Sequence, residues 1–254
     1  MNTKDIKIGE KFFGLFIGAP GTGKSIAAHS IHYLGPTFTF DYDRKMDAVA
    51  SRFPKAEFNY EQFDSVVDAL KVLSALRSNC PYKSIIWDGW HTFAALCLKT
   101  SMALRAPGKK RITTGNIERY QIEDYGVEGR AIEQATDDLQ YLYSEKNVNI
   151  VTIAHWRRVE VYNIKTNTSE VVEGLFIPGG KMAFAVPTPY NELYWFSKEV
   201  DMSTGKTVVT CETNGSHDTK TVLKVDDKFS FTREENFFQK LFDMHERNSK
   251  VISL

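Results

Sequence analysis

The sequence predicts an α/β protein with a mainly parallel sheet flanked by helices and a C-terminal antiparallel hairpin. Three observations predict it. Short apolar runs alternate with helical repeats from residue 12 to residue 196, the pattern of βαβ units around a parallel sheet. A glycine-rich octapeptide stands between the first apolar run and the first helical repeat. After about residue 200 the alternation gives way to two β-like runs around a polar turn.

The elements follow in order. Phe12–Ile17 is almost continuously apolar, as a strand buried on both faces must be. Lys24–Leu34 reads as a helix stopped by Gly35-Pro36. Thr37–Phe40 is a second short strand. Phe63, Val66, Val67, Leu70 and Leu73 recur at helical spacing. Ser84–Trp87 is a third strand, and Ile132, Ala135, Leu139 and Leu142 mark a further amphipathic helix. Ile150–Ala154 and Glu192–Phe196 complete the parallel set. Thr207–Cys211 and Thr219–Val225, joined by Glu212–Asp218, form the expected hairpin. Phe237, Phe238, Leu241 and Phe242 fit a C-terminal amphipathic helix. Thr100–Tyr125 and Arg157–Pro189 read as long loops, a length that is usually functional or disordered in a compact domain.

A chain of 254 residues can bury one sizeable core. We expect a single domain over 1–254, its core from about 10 to 230 and its C-terminal helix over about 232–248. The formal net charge is zero, so no global basic field draws the molecule to nucleic acid, and any such contact must be local. Cys80, Cys97 and Cys211 are scattered without metal-ligand spacing and read as reduced thiols. Residues 1–10 lack the apolar run of a signal peptide. No apolar stretch approaches the roughly 20 residues that span a bilayer. The expectation is a cytoplasmic protein without membrane contact.

The octapeptide Gly18-Ala19-Pro20-Gly21-Thr22-Gly23-Lys24-Ser25 matches GxxxxGK[ST] without departure. Its glycines let the backbone curl so that successive N–H groups face phosphate oxygens. The helix that follows adds the positive end of its dipole. Lys24 is expected to reach the β- and γ-phosphates and Ser25 to ligate Mg²⁺, making ATP with Mg²⁺ the expected cofactors. Ile85-Ile86-Trp87-Asp88 is an apolar strand ending in an acid, which suits a Walker B aspartate in the Mg²⁺ shell. The next residue is Gly89. AAA+ ATPases usually hold their catalytic glutamate at that place, so the base must be sought elsewhere.

Asp41 and Asp43 end the second strand and share one side of it. At the C-terminal edge of a parallel sheet such a carboxylate faces the ligand crevice, where it can orient and deprotonate a water. Asp43 is the expected base and Asp41 the next candidate; a plain turn-forming pair of acids is the simpler reading. His155, just past the Ile150–Ala154 strand, is the candidate γ-phosphate sensor, against a simple core histidine. Trp156 with Arg157 and Arg158 pairs a stacking surface with charge, as single-strand binding requires. Lys109, Lys110 and Arg111 form a second basic patch near Arg105; either patch could equally be a solvated surface.

This order of features resembles the RecA-fold recombinases, and most of all the short phage-encoded RecA-like ATPases associated with single-strand annealing. The resemblance runs from about Phe12 to Phe229. It implies a RecA-like P-loop fold, catalysis by an acid two places after a strand-terminal Asp (here Asp43, one methylene shorter than the family's glutamate), and slow hydrolysis. It implies that His155 stands at the family's polar sensor and that the Phe176–Lys181 stretch is similar to a Pro-Gly-Lys segment after a DNA-binding loop. It implies that Thr221–Phe229 is similar to the strand whose lysines reach a neighbouring subunit's phosphates, with Lys224 the better match and Lys228 the second. The implied partners are single-stranded DNA, further copies of the chain in a head-to-tail ring or filament, and a single-strand-binding protein, in a host cytoplasm if the chain is phage-encoded. A DNA-dependent ATPase of recombination, annealing or replication is thus the first expectation. A nucleotide-gated switch, such as a helicase loader or assembly factor, is the alternative. A P-loop small-molecule kinase is third, weakened by the absence of an arginine-rich lid.

Overall fold

The computed structural model describes residues 11–104, 113–114, 117–118, 120–163, 168–178, 182–200, 205, 207–215, 219–232 and 234–251. The strands are β1 (Phe13–Gly18), β2 (Thr37–Asp41), β3 (Asn59–Glu61), β4 (Ser84–Asp88), the short pair β5 (Thr113–Thr114) and β6 (Ile117–Glu118), β7 (Asn149–Asn163), β8 (Thr168–Leu175), β9 (Glu192–Val200), β10 (Thr207–Glu212) and β11 (Lys228–Phe231). The helices are α1 (Lys24–His29), α2 (Met46–Arg52), α3 (Val66–Ser78), α4 (Trp90–Ala103), α5 (Ile122–Lys146), α6 (Met182–Ala185) and α7 (Phe237–Val251). The main sheet runs β11-β10-β9-β1-β7-β4-β2-β3. From β9 to β3 all neighbours are parallel, and β10 and β11 are antiparallel. The fold class expected from the sequence is therefore the one found.

The two-residue period of the strands sorts the core into two layers. Phe13, Leu15 and Ile17 pack on the layer of α3, α4 and α5. Phe12 and Phe16 face the opposite layer, with Phe237, Phe238 and Leu241 of α7. Fully burying one such side chain stabilises by about 1.5–3 kcal/mol, so these strands are fixed by burial on both faces. Gly18 ends β1 where no side chain fits, because a Cβ there would meet the Phe196 carbonyl oxygen at 2.2 Å.

Three expectations need correction. The hairpin partner of β10 is β11, not Thr219–Val225, and β10 also pairs with β9. Glu192 draws the 219–225 segment out of the ladder: its carboxylate accepts from the Thr221 hydroxyl at 2.6 Å and the Val222 N–H at 3.1 Å. Phe229 and Phe231, two residues apart, both enter the core and pair the later stretch instead. Arg157–Pro189 is not one loop. β7 runs on past the sheet and turns back as β8 in an antiparallel arm, with Trp156 opposite Leu175. The Lys24–Leu34 helix is an α-turn followed by a 3-10 segment, Ser30–Leu34. α2 and α4 had no assignment from the sequence.

Candidate functional site

Parallel pairing brings four strand ends to one edge. Gly18 of β1 is in register with His155 of β7, Asp88 of β4 with Ile153, and Asp41 of β2 with Asp88. The phosphate loop, Asp41, Asp88 and His155 therefore meet in space, although 137 residues separate Gly18 from His155. A cavity of about 430 Å³ opens beside them, lined by Gly21–Ile26, Lys45, residues of α2, His155, Val209 and Phe231.

Lys24 is buried. Its ammonium donates to the carbonyls of Gly18 and Ala19, both at 2.8 Å, and lies 3.4 Å from His155 Nδ1. Burial, with the nearby charge of Lys45, lowers its pKa to about 7. Asp88 is also buried, and neither of its carboxylate oxygens has a hydrogen-bond partner among the described residues. Burial pushes its pKa up to about 6; Lys45 and the nearby Ser25 hydroxyl ease that push, though Ser25 makes no hydrogen bond of standard geometry. A buried carboxylate with both oxygens unsatisfied is costly. A hard divalent cation is the species that satisfies it, and Ser25 with Asp88 supplies the oxygen donors that Mg²⁺ takes. The residues fit the expected ion.

The turn after β2 separates the two acids. Asp41 accepts from the Lys45 backbone N–H and from Gln62 Nε2, both at 2.9 Å. It shapes the turn, in which Arg44 takes a left-handed φ of 54°. Asp43 instead faces the site. Lys45 Nζ donates to its Oδ2 at 2.6 Å, and the Thr92 hydroxyl donates to Oδ1 at 2.5 Å. His155 Nε2 lies 3.5 Å from Oδ2 and His91 Nε2 3.6 Å from Oδ1. Burial pushes the Asp43 carboxyl up, but the hydrogen bonds from His155, Lys45 and Thr92 outweigh it and hold the group well below the usual carboxylate range. Gly89 explains itself here. Its φ is 119°, and a Cβ on it would meet Asp43 Oδ1 at 2.6 Å. Asp43 thus occupies the space that a side chain at position 89 would need.

Sequence reasoning missed three groups. Lys45 was legible only as a charge in a turn. His91 stands at the start of α4, which had no assignment. Lys198, on β9, places its ammonium 3.9 Å from where a Cβ on Gly21 would sit. Lys45 and Lys198 thus place further positive charge near the phosphate loop within the same chain, in addition to the Lys224 and Lys228 that the resemblance assigns to a neighbouring subunit.

The remaining candidates are dispersed. Trp156 is half-buried and meets Trp195 edge to face at 5.2 Å. Arg157 and Arg158 are exposed, and Arg157 lies over the Phe176 ring at 5.0 Å. Phe176, 41% exposed, also stacks on His91 at 5.8 Å. Lys224 is exposed on the segment before β11, not on a strand; its N–H donates to His245 Nδ1 at 2.9 Å. Lys228 pairs with Glu199 at 2.7 Å. Lys109, Lys110, Arg111 and Lys181 lie outside the described residues. Among the described residues no helix is long and apolar enough to cross a membrane.

No protein-family model matches the chain, and no curated protein matches it. Among solved structures, a KaiC-like protein from the hyperthermophilic archaeon Pyrococcus horikoshii is similar, with a TM-score of 0.42 and 11% identity over 88% of this chain and 87% of that one.

Proposed function

We propose that this chain is a RecA-like P-loop ATPase that binds Mg·ATP, hydrolyses it slowly and acts on single-stranded DNA. One observation carries the nucleotide reading: an unbroken phosphate loop faces a buried Asp88 whose two oxygens have no hydrogen-bond partner among the described residues. Ser25 and Asp88 would hold the magnesium ion, which when bound would neutralise phosphate charge. Lys24 exchanges the carbonyls of Gly18 and Ala19 for phosphate oxygens. Lys45 and Lys198 supply further positive charge.

Asp43 is the group that orients the attacking water. A general base works best with a pKa near the operating pH. A carboxyl held as low as that of Asp43 accepts a hydrogen bond well but takes a proton poorly, which agrees with slow turnover. The same feature favours the second reading, a nucleotide-gated switch. His155 lies between Lys24 and Asp43, and the β7–β8 arm with Trp156, Arg157 and Arg158 begins at the next residue. Support for the DNA reading is that Trp156, Arg157 and Arg158, one aromatic and two cations, root the arm at the phosphate site, while Glu160, Glu170 and Glu173 lie farther along it. A role in phage recombination or annealing, a single-strand-binding partner, DNA contact by Lys109, Lys110 and Arg111, and head-to-tail assembly with Lys224 acting in trans belong to the same proposal.

The test is ATP turnover with and without single-stranded DNA, beside Lys24→Ala. Stimulation by DNA, lost in a folded Lys24→Ala protein, is the expected result. Binding without DNA-stimulated turnover selects the switch. Wild-type turnover in Lys24→Ala sinks the nucleotide reading. Mixing Lys24→Ala with Lys224→Ala subunits should restore activity if Lys224 serves its neighbour; normal turnover by Lys224→Ala alone removes that part.

A further inference from the structure

Asp43, His91 and His155 come from three separate elements: the turn after β2, the start of α4 and the end of β7. One ligand atom from each lies within 4.8 Å of the others. The two imidazoles flank the carboxylate, with ring centroids 4.6 Å apart. His91 Nε2 and His155 Nε2 stand 3.6 and 3.5 Å from the Asp43 oxygens. A tetrahedral Zn²⁺ with bonds of about 2.0–2.2 Å sets its donors about 3.4 Å apart. Each carboxylate oxygen thus stands near donor spacing from one imidazole, Oδ1 from His91 and Oδ2 from His155, and three donors within 4.8 Å close on one ion through small side-chain rotations.

We propose that Asp43, His91 and His155 form a binding site for a borderline transition-metal ion, typified by Zn²⁺, separate from the Mg²⁺ position at Ser25 and Asp88. Two imidazoles and one carboxylate are the donor set of such ions, whereas Mg²⁺ takes oxygen. Three protein ligands leave a fourth position open, the form of a site that binds an exchangeable ligand.

For Asp43 and His155 the surroundings supply the outer contacts that metal ligands need. The Thr92 hydroxyl donates to Asp43 Oδ1 and fixes the carboxylate. With His155 Nε2 on the metal, its Nδ1 carries the proton and faces the Gly18 carbonyl at 3.5 Å, so that the Lys24 ammonium, now 3.4 Å from Nδ1, must turn wholly to its carbonyl partners. His91 stacks on the Phe176 ring and its Nε2 lies 3.0 Å from the Thr92 hydroxyl, which would turn wholly to Asp43 on metal binding, while its buried Nδ1 has no hydrogen-bond partner among the described residues. Lys45 already bonds Asp43 Oδ2, but an ionised carboxylate offers about four lone-pair sites, so each oxygen keeps one for an ion. Lys24 and Lys45 oppose a cation here, which sets the affinity below that of a closed structural site. The site needs no nucleotide, so its failure would leave the ATPase reading intact, and the reverse holds too.

The test uses the whole chain, stripped with a chelator, without nucleotide and with excess Mg²⁺ to fill oxygen-only sites. Co²⁺ is titrated and its visible absorption followed, with Zn²⁺ as competitor. The expected result is one equivalent of Co²⁺ with the intense bands of four- or five-coordination, displaced by Zn²⁺. His91→Ala should lose about tenfold or more in affinity, because even outer-sphere changes cost about 10–100-fold. His91→Cys should bind and add a thiolate-to-cobalt band. No stoichiometric binding by the wild-type chain overturns the site. So does unchanged binding in folded His91→Ala with no thiolate band in His91→Cys, which would place the metal on another histidine.

Discussion

The phosphate-loop edge of the sheet and the aromatic layer under α7 are built on opposite principles. Under α7 the demands of each group are met. Phe237 touches the rings of Phe16, Phe196, Phe229, Phe231 and Phe238 within 6 Å, and Phe12, Phe16, Phe238 and Leu241 are wholly buried beside it. At the loop edge, Asp88 has no hydrogen-bond partner among the described residues, Lys24 is folded onto its own loop, and Asp43 holds four polar neighbours. The layer spends its sequence on packing and the edge keeps polar capacity in reserve for a ligand. A carboxylate with both oxygens unsatisfied among the described residues, beside an unbroken phosphate loop, is what marks this edge as the end that takes a ligand.

That contrast can be broken at either region. Asp43→Asn keeps the shape of the edge and removes its charge. Turnover is expected to fall by about 10²–10⁴-fold while nucleotide binding persists, as single-turnover and binding assays would read. Unchanged turnover would hand the water-positioning role to another group. In the layer, Phe237→Ala should cost about 3–5 kcal/mol of unfolding free energy in a urea titration. A cost under about 1 kcal/mol would mean the ring cluster collapses around the gap.

A third prediction concerns the strut between the regions. His29 of α1 is buried, with Nδ1 at 2.7 Å from the Ser25 carbonyl and Nε2 at 3.1 Å from Thr39 Oγ1 of β2. Burial lowers its pKa to about 4, from 6.5. Between those values the unfolded chain binds more protons, so this contribution to stability is present above about pH 6.5 and is lost as the pH falls toward 4. The stability difference between wild type and His29→Gln should shrink by about 2–3 kcal/mol from pH 7 to pH 4. A pH-independent difference would show that His29 is not held neutral. The smallest effect belongs to the arm. Trp156→Ala and Phe176→Ala should each cost about 1–3 kcal/mol of single-strand affinity if a base stacks there. Phe176 is expected to be the larger, because its ring is exposed whereas Trp156 is half-buried against Trp195. Salt titration checks the same arm, with a log–log slope of about −0.7 per phosphate contacted.

The sequence by itself determined the parallel strands other than β3, the phosphate loop, Asp88 and the apolar face of the C-terminal helix. These are local signals: a run buried on both faces, a fixed spacing of glycines, a 3.6-residue repeat. It also made Asp43 a candidate, through the absence of a side chain at Gly89. Tertiary structure decided the rest. Asp41 and Asp43 look alike in sequence, yet Gln62 and the Lys45 N–H take the first into a turn and leave the second to the site. Phe229 and Phe231, rather than Val222 and Val225, pair with β10, because Glu192 captures the earlier segment. His91, Lys45 and Lys198 reach the loop only through the strand register and the packing of α4. Periodicity reports which face of an element is buried. It carries no record of which buried faces converge, and the site is made by that convergence.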